Sequence, residues 1–179
     1  MTQVTSRSSK RAFRVIERPG GSIDFGTHKT ATAYLKGDLK MIDANAISDL
    51  CQKAIDMRSE SYAPYSDFLV GSAILTEDGK IFTGCNVENS AFGPSICAER
   101  TAIVKAVSEG SRDFAAIAIA GGKRDGGLQY CAPCGVCRQV MREFCKPSFK
   151  IYLAKSATDY QEFTLAELLP ESFGPENLE

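Results

Sequence analysis

The chain has 179 residues, 44% of them hydrophobic, with 21 lysines and arginines against 22 aspartates and glutamates, a formal net charge of -1. That length suits one well-packed domain with a tail, and the charge balance argues against a nucleic-acid binder, which needs a basic excess for phosphate contacts. No run approaches the roughly 20 apolar residues of a membrane helix, and seven cysteines without a secretory signal pattern fit a reducing compartment, with a soluble cytoplasmic protein as the expectation.

Residues 1–41 lack sustained periodicity and contain Pro19-Gly20-Gly21-Ser22. They read as an amino-terminal extension, flexible, with the domain proper on 42–179. Arg7, Lys10, Arg11 and Arg14 lie in a Ser/Thr-rich opening with no acidic residue before Glu17, a composition shared by organelle transit peptides and plain disordered tails; the plain tail is preferred. His28, the only histidine, reads as a surface residue, and short apolar pieces at 13–16 and 33–35 suit surface docking.

Asp43 is placed to cap a helix over 44–60, since Ile47, Leu50, Cys51, Ala54 and Ile55 recur at the spacing of one buried stripe. Pro64 closes that segment. Residues 69–76 and 80–87 flank Glu77-Asp78-Gly79 and predict an antiparallel hairpin. If its second strand runs on that far, the two-residue period puts Asn86 and Glu88 on one side. A helix is expected over 97–109, with Cys97 at its start, then a doubly buried strand over 114–120 and a Gly-rich loop over 121–129. Pro133 introduces a helix over 135–144, which sets Cys134 and Cys137 at a second helix start. Strands follow at 149–155 and 161–163, and Thr164 caps a last helix through Leu169. The order implies a three-layer α/β/α domain on a mixed five-stranded sheet.

Chemistry concentrates in Cys97-Ala98-Glu99-Arg100 and Pro133-Cys134-Gly135-Val136-Cys137. Helix starts favour thiolate, the form that binds metal. Cys97, Cys134 and Cys137 can hold one zinc and leave its fourth tetrahedral position to water, with the Glu99 carboxylate beside it to move protons. Three thiolates make a negative centre, which Arg100 and Arg138 can offset by hydrogen bonds to the sulfurs. Cys131 extends the second stretch to C-x-x-C-x-x-C, so a closed four-sulfur zinc or iron-sulfur site without catalysis stays open. Cys51, Cys85 and Cys145 read as packing residues.

The two metal stretches fit the zinc-deaminase signature with cysteine in the first ligand position. With Tyr62-Ala63-Pro64-Tyr65-Ser66-Asp67-Phe68, Gly84-Cys85-Asn86-Val87-Glu88-Asn89 and Glu167-Leu168-Leu169-Pro170-Glu171-Ser172-Phe173-Gly174-Pro175, residues 43–179 resemble the small homotetrameric cytidine deaminases. The resemblance implies hydrolysis of free cytidine and deoxycytidine to uridine and deoxyuridine plus ammonia, in pyrimidine salvage, with one zinc per subunit on Cys97, Cys134 and Cys137. Glu99 would be the proton shuttle, Phe68 would stack on the pyrimidine, and Asn86 and Glu88 would hold the ribose hydroxyls. Ala98 would contact substrate, and Phe173 would reach a neighbouring subunit's pocket. A deaminase of another small aminopyrimidine would keep the zinc core without needing Asn86 and Glu88. Phe92 stands where many relatives have tyrosine, which puts one subunit-interface hydrogen bond in question.

Overall fold

The computed structural model describes residues 42–178; the extension over 1–41, with His28 and the basic opening, lies outside the described residues. Helix α1 (Ala44–Asp56) starts where expected, with the Asp43 carboxylate accepting from the Ala46 N–H at 2.8 Å. It tightens into a 3-10 turn, Met57–Glu60, before the chain straightens. Strands β1 (Phe68–Thr76) and β2 (Ile81–Cys85) form the hairpin, with Gly79 at φ 87° in its turn. There follow α2 (Ala98–Ser108), β3 (Phe114–Lys123), α3 (Gly135–Phe144), β4 (Lys150–Ala154), β5 (Tyr160–Thr164), the single-turn α4 (Leu165–Leu168) and a 3-10 turn, Pro175–Leu178. Among the described residues no helix is long and apolar enough to cross a membrane.

The sheet order is β2-β1-β3-β4-β5, with β3 and β4 parallel and every other pair antiparallel. The expected mixed five-stranded sheet between helical layers is what forms. Its two faces differ in side-chain size. Ala73, Ala116, Ala118, Ala120 and Ala154 line one face beneath Leu50, Cys51 and Ala54 of α1, and these small residues let α1 lie close. A Cβ on Gly71 would stand 2.0 Å from the Ala54 carbonyl oxygen, so the end of α1 rests almost on the β1 backbone. Ile74, Ile117, Ile119 and Ile151 fill the other face against Ile103, Ala106 and Met141. That larger-grained layer carries α2 and α3, whose first turns hold the cysteines.

Three boundaries differ from the sequence expectation. Strand β2 stops at Cys85 instead of running to 87. The Asn86 carboxamide takes over the ladder there, accepting from Val70 N–H at 2.9 Å and donating to the Phe68 carbonyl at 2.8 Å. A side chain thus does what a strand neighbour's backbone would do. Strand β3 runs three residues past Ala120, because Gly121 and Gly122 stay paired with Val70 and Leu69 and their missing side chains leave room for Cys131 and for the Gly127 carbonyl. Finally, α4 is one turn, fixed by a capping box in which the Glu167 carboxylate accepts from Thr164 N–H at 2.6 Å and Thr164 Oγ1 from Glu167 N–H at 3.3 Å.

Candidate active site

Cys97 and Cys134 occupy the N-cap positions of α2 and α3, both in extended backbone, and Cys137 lies one turn into α3. Neither sulfur caps a backbone N–H of its own helix, so both are free to turn toward each other. Gly84 of β2 lets α2 come close enough: a Cβ there would meet Ala102 N at 2.4 Å and Ala98 O at 2.6 Å. The sulfur of Cys134 lies 3.8 Å from that of Cys97 and 3.6 Å from that of Cys137, and all three fall within 4.8 Å of one another. A tetrahedral ion with Zn–S bonds of about 2.3 Å requires sulfurs about 3.8 Å apart. The donor set and its spacing therefore fit zinc. Cys131 is outside this cluster. Its sulfur packs on Gly121 beside the Phe68 ring, so the described residues bring together three sulfurs and not four.

The charge around the cage is uneven. A hydrogen bond from Cys137 and the nearby Arg100 guanidinium hold the Cys97 thiol down to about 5 against the opposing effect of burial. The same shared proton, with burial, pushes the Cys137 thiol up. Arg100 Nη2 donates to the Ser95 carbonyl at 2.8 Å and lies 4.0 Å from Cys97 Sγ; its buried Nε has no protein partner. Arg138 turns elsewhere. Its guanidinium donates to the carbonyls of Pro133 at 2.7 Å and Leu168 at 2.5 Å. It holds the loop before Cys134 instead of meeting a sulfur, because one helical step from Cys137 carries it round to the α4 side.

Glu99, only 4% exposed, is buried in the first turn of α2. Burial lifts its carboxyl to about 7, with Cys97 adding to the rise while its own backbone amide and Arg100 pull the other way. A carboxyl poised near neutrality can both take and return a proton. Ala98, the first residue of α2, is fully buried, and its N–H is one of those a helix start leaves without an intrahelical acceptor.

A second group of the expected residues gathers at the start of β1. Phe68 opens that strand, aimed by Asp67 at φ 54°, a left-handed conformation that Asp tolerates. Arg124 fixes this corner, its Nε donating to Asp67 Oδ1 at 2.8 Å. The strand that would put Asn86 and Glu88 on one side ends at Cys85, and the two meet the 62–70 segment separately. Glu88 Oε2 accepts from the N–H groups of Tyr65 at 2.9 Å and Ser66 at 3.2 Å. Those contacts, led by the Ser66 side chain, hold the Glu88 carboxyl below the usual carboxylate range. Lys123 Nζ donates to the Ser66 carbonyl at 2.7 Å. The pairing of Phe68 with Lys123 across β1 and β3 brings Lys123 here from a segment remote in the chain. Phe173 does not enter this site within one chain: it is 59% exposed, its carbonyl held by Gln139.

Comparison with known proteins gives one consistent answer. Residues 44–153 match the family model described as the cytidine and deoxycytidylate deaminase zinc-binding region. A cytidine deaminase of Sporosarcina psychrophila is 46% identical over 132 residues, 74% of this chain and 94% of that protein. A probable cytidine deaminase of Dictyostelium discoideum is 45% identical over 131 residues, covering 71% and 86% of the two chains. Among solved structures, the cytidine deaminase of Burkholderia pseudomallei superposes with a TM-score of 0.64 at 46% identity, covering 70% of this chain and 97% of that one. That of Mycobacterium tuberculosis gives 0.60 at 35% identity, covering 74% and 98%.

Proposed function

The chain belongs to the family of cytidine and deoxycytidylate deaminases, and on that premise we propose that it is a zinc-dependent hydrolase converting free cytidine and deoxycytidine to uridine and deoxyuridine, in pyrimidine salvage in the cytoplasm. The observation that carries this reading is the buried Glu99 carboxyl in the first turn of α2, the helix capped by Cys97, one of three sulfurs gathered at zinc spacing. One zinc per subunit would be held by Cys97, Cys134 and Cys137. Zinc bound there supplies Lewis-acid activation, lowering the pKa of a water from about 15.7 toward about 7.

The chain's own residues do the rest. Glu99 takes one proton from the attacking water and delivers it to the ring nitrogen N3 as the water oxygen bonds to C4. It then carries the second water proton from the new C4 hydroxyl to the amino group, the C4–N bond breaks and ammonia leaves, while N3 keeps its proton in the 4-oxo product. Arg100 tempers the negative charge of the sulfurs. Arg138 fixes the loop entering Cys134. Phe68 stacks on the pyrimidine, Ala98 contributes its backbone, and Asn86 and Glu88 hold the ribose, with Glu88 kept ionised by its donors. Phe173, with the exposed rings of Tyr65 and Phe92, serves a homotetramer in which each subunit completes a neighbour's pocket.

The test is loss of cytidine's ultraviolet band on incubation with purified protein beside Glu99→Gln. The variant is expected to keep its zinc and lose about 10²- to 10⁴-fold of turnover, the usual worth of a placed acid-base group. A fully active variant sinks the mechanism.

A further inference from the structure

Helix α3 carries two sulfurs of the cage at its start, and its far half grips the end of the chain. Arg142, 5% exposed, is the one arginine buried in the core of the described residues. Its Nε donates to Ser172 Oγ at 3.0 Å, and its Nη2 pairs with the Glu176 carboxylate. Gly174 lies flat on the same guanidinium, so that a Cβ there would fall 2.3 Å from Arg142 Cζ. One turn earlier, Gln139 Nε2 donates to the Phe173 carbonyl at 3.0 Å. The turn is then closed by Gly174 N–H on Asn177 Oδ1 at 2.7 Å and Asn177 N–H on the Gly174 carbonyl at 2.9 Å. Residues 172–176 are thus pinned at four points while the Phe173 ring between them stays exposed.

A buried guanidinium paired with a half-exposed carboxylate is a poor device for stability, since an apolar side chain of similar volume would avoid the desolvation cost of the charge. What a guanidinium adds is a planar fork of fixed geometry. We propose that Arg142 is a positioning residue: it straps the chain end to α3 so that Phe173 is presented, already ordered, to the substrate pocket of a second copy of this chain. This rests on the reading above that Phe173 serves a neighbouring subunit. An aromatic held in place before docking loses little freedom on docking, so the strap acts on substrate affinity and not on the chemical step.

The experiment measures kcat, KM for cytidine, zinc content and assembly size for Arg142→Met, Gly174→Ala, Phe173→Ala and the Arg142→Met/Phe173→Ala double variant. Arg142→Met and Gly174→Ala are expected to raise KM by about fivefold, the loss of one well-placed interface contact, with kcat, zinc and assembly size retained. The double variant should be no worse than Phe173→Ala alone, because Arg142 acts through that ring. Gly174→Ala decides the matter if Arg142→Met does not fold, since it displaces the strap without emptying the core. An unchanged KM in Gly174→Ala with a raised KM in Phe173→Ala overturns the strap, as does an additive double variant. A Phe173→Ala protein with unaltered KM overturns the underlying reading of Phe173, and the strap with it.

Discussion

Gly84→Ala probes how the sheet places the metal site. The added Cβ would meet Ala102 N at 2.4 Å, Ala98 O at 2.6 Å and Thr101 Cβ at 2.8 Å, against an optimum of roughly 3.5 Å for such contacts. The shortfall is about 1 Å, and two of the three neighbours are α2 backbone, which cannot rotate away. Either α2 or β2 must move. Overpacking of this kind costs about 1–3 kcal/mol, which for a domain of this size lowers Tm by roughly 4–12 °C. If α2 moves, it takes Cys97 with it and opens the 3.8 Å gap to Cys134, outside the tolerance of about 0.2 Å that zinc ligands allow. A displacement near 1 Å at the reacting groups can cost about 10²-fold in rate. The assay combines thermal unfolding, metal content by mass spectrometry and cytidine turnover. We expect a lowered Tm together with weakened zinc binding and at least tenfold lower turnover, a bound set by that same misplacement argument. A variant with lowered Tm but full zinc and full turnover would show β2 yielding instead, and would refute the claim that Gly84 sets the position of the site.

Cys134→Ala is expected to lose the metal, whereas Cys131→Ala keeps it, because Cys131 lies outside the sulfur cluster; metal content of the two purified variants decides this, and an empty Cys131→Ala protein restores the four-sulfur alternative. Burial pushes the thiols of Cys51 up to about 11 and Cys145 up to about 12. Both should resist iodoacetamide at pH 8 in the native protein and react once it is unfolded, read by peptide mass spectrometry. The sign for stability follows: the raised thiols contribute fully below their ordinary value of 9.0, and that contribution is lost as pH climbs through about 11–12. A chemical-denaturation midpoint that rises between pH 9 and 11 would contradict it. Thr164→Ala removes one half of the capping box and is expected to lower stability by about 1 kcal/mol, seen as an earlier denaturation midpoint with unchanged zinc content.

The fold class, and the two cysteine stretches that the fold brings together, were legible because each rests on short-range pattern. Helical spacing and the Asp43 cap define α1, and the Asp78-Gly79 turn defines the hairpin. The cysteine spacing pointed to one cluster because two of its three sulfurs are three residues apart at one helix start. What sequence period misjudged was the reach of strands. Asn86 ends β2 by bonding β1 with its side chain, and Gly121 and Gly122 extend β3; both outcomes depend on what lies across the sheet. Arg138 illustrates the same limit: adjacency to Cys137 in the chain suggested a sulfur contact, but the helical rotation sends it to Leu168.

By itself the sequence determined which atoms are available for chemistry: three sulfurs, one carboxylate, and the polar pair Asn86 and Glu88. Only the tertiary structure decided that Cys131 is excluded from the cage, that Glu99 is buried enough to sit near neutrality, and that Arg142 is spent on the chain end. The reason is physical. Residue type and local spacing set what a group can do, whereas burial, proton affinity and partner choice are set by segments remote in the chain that packing brings into contact.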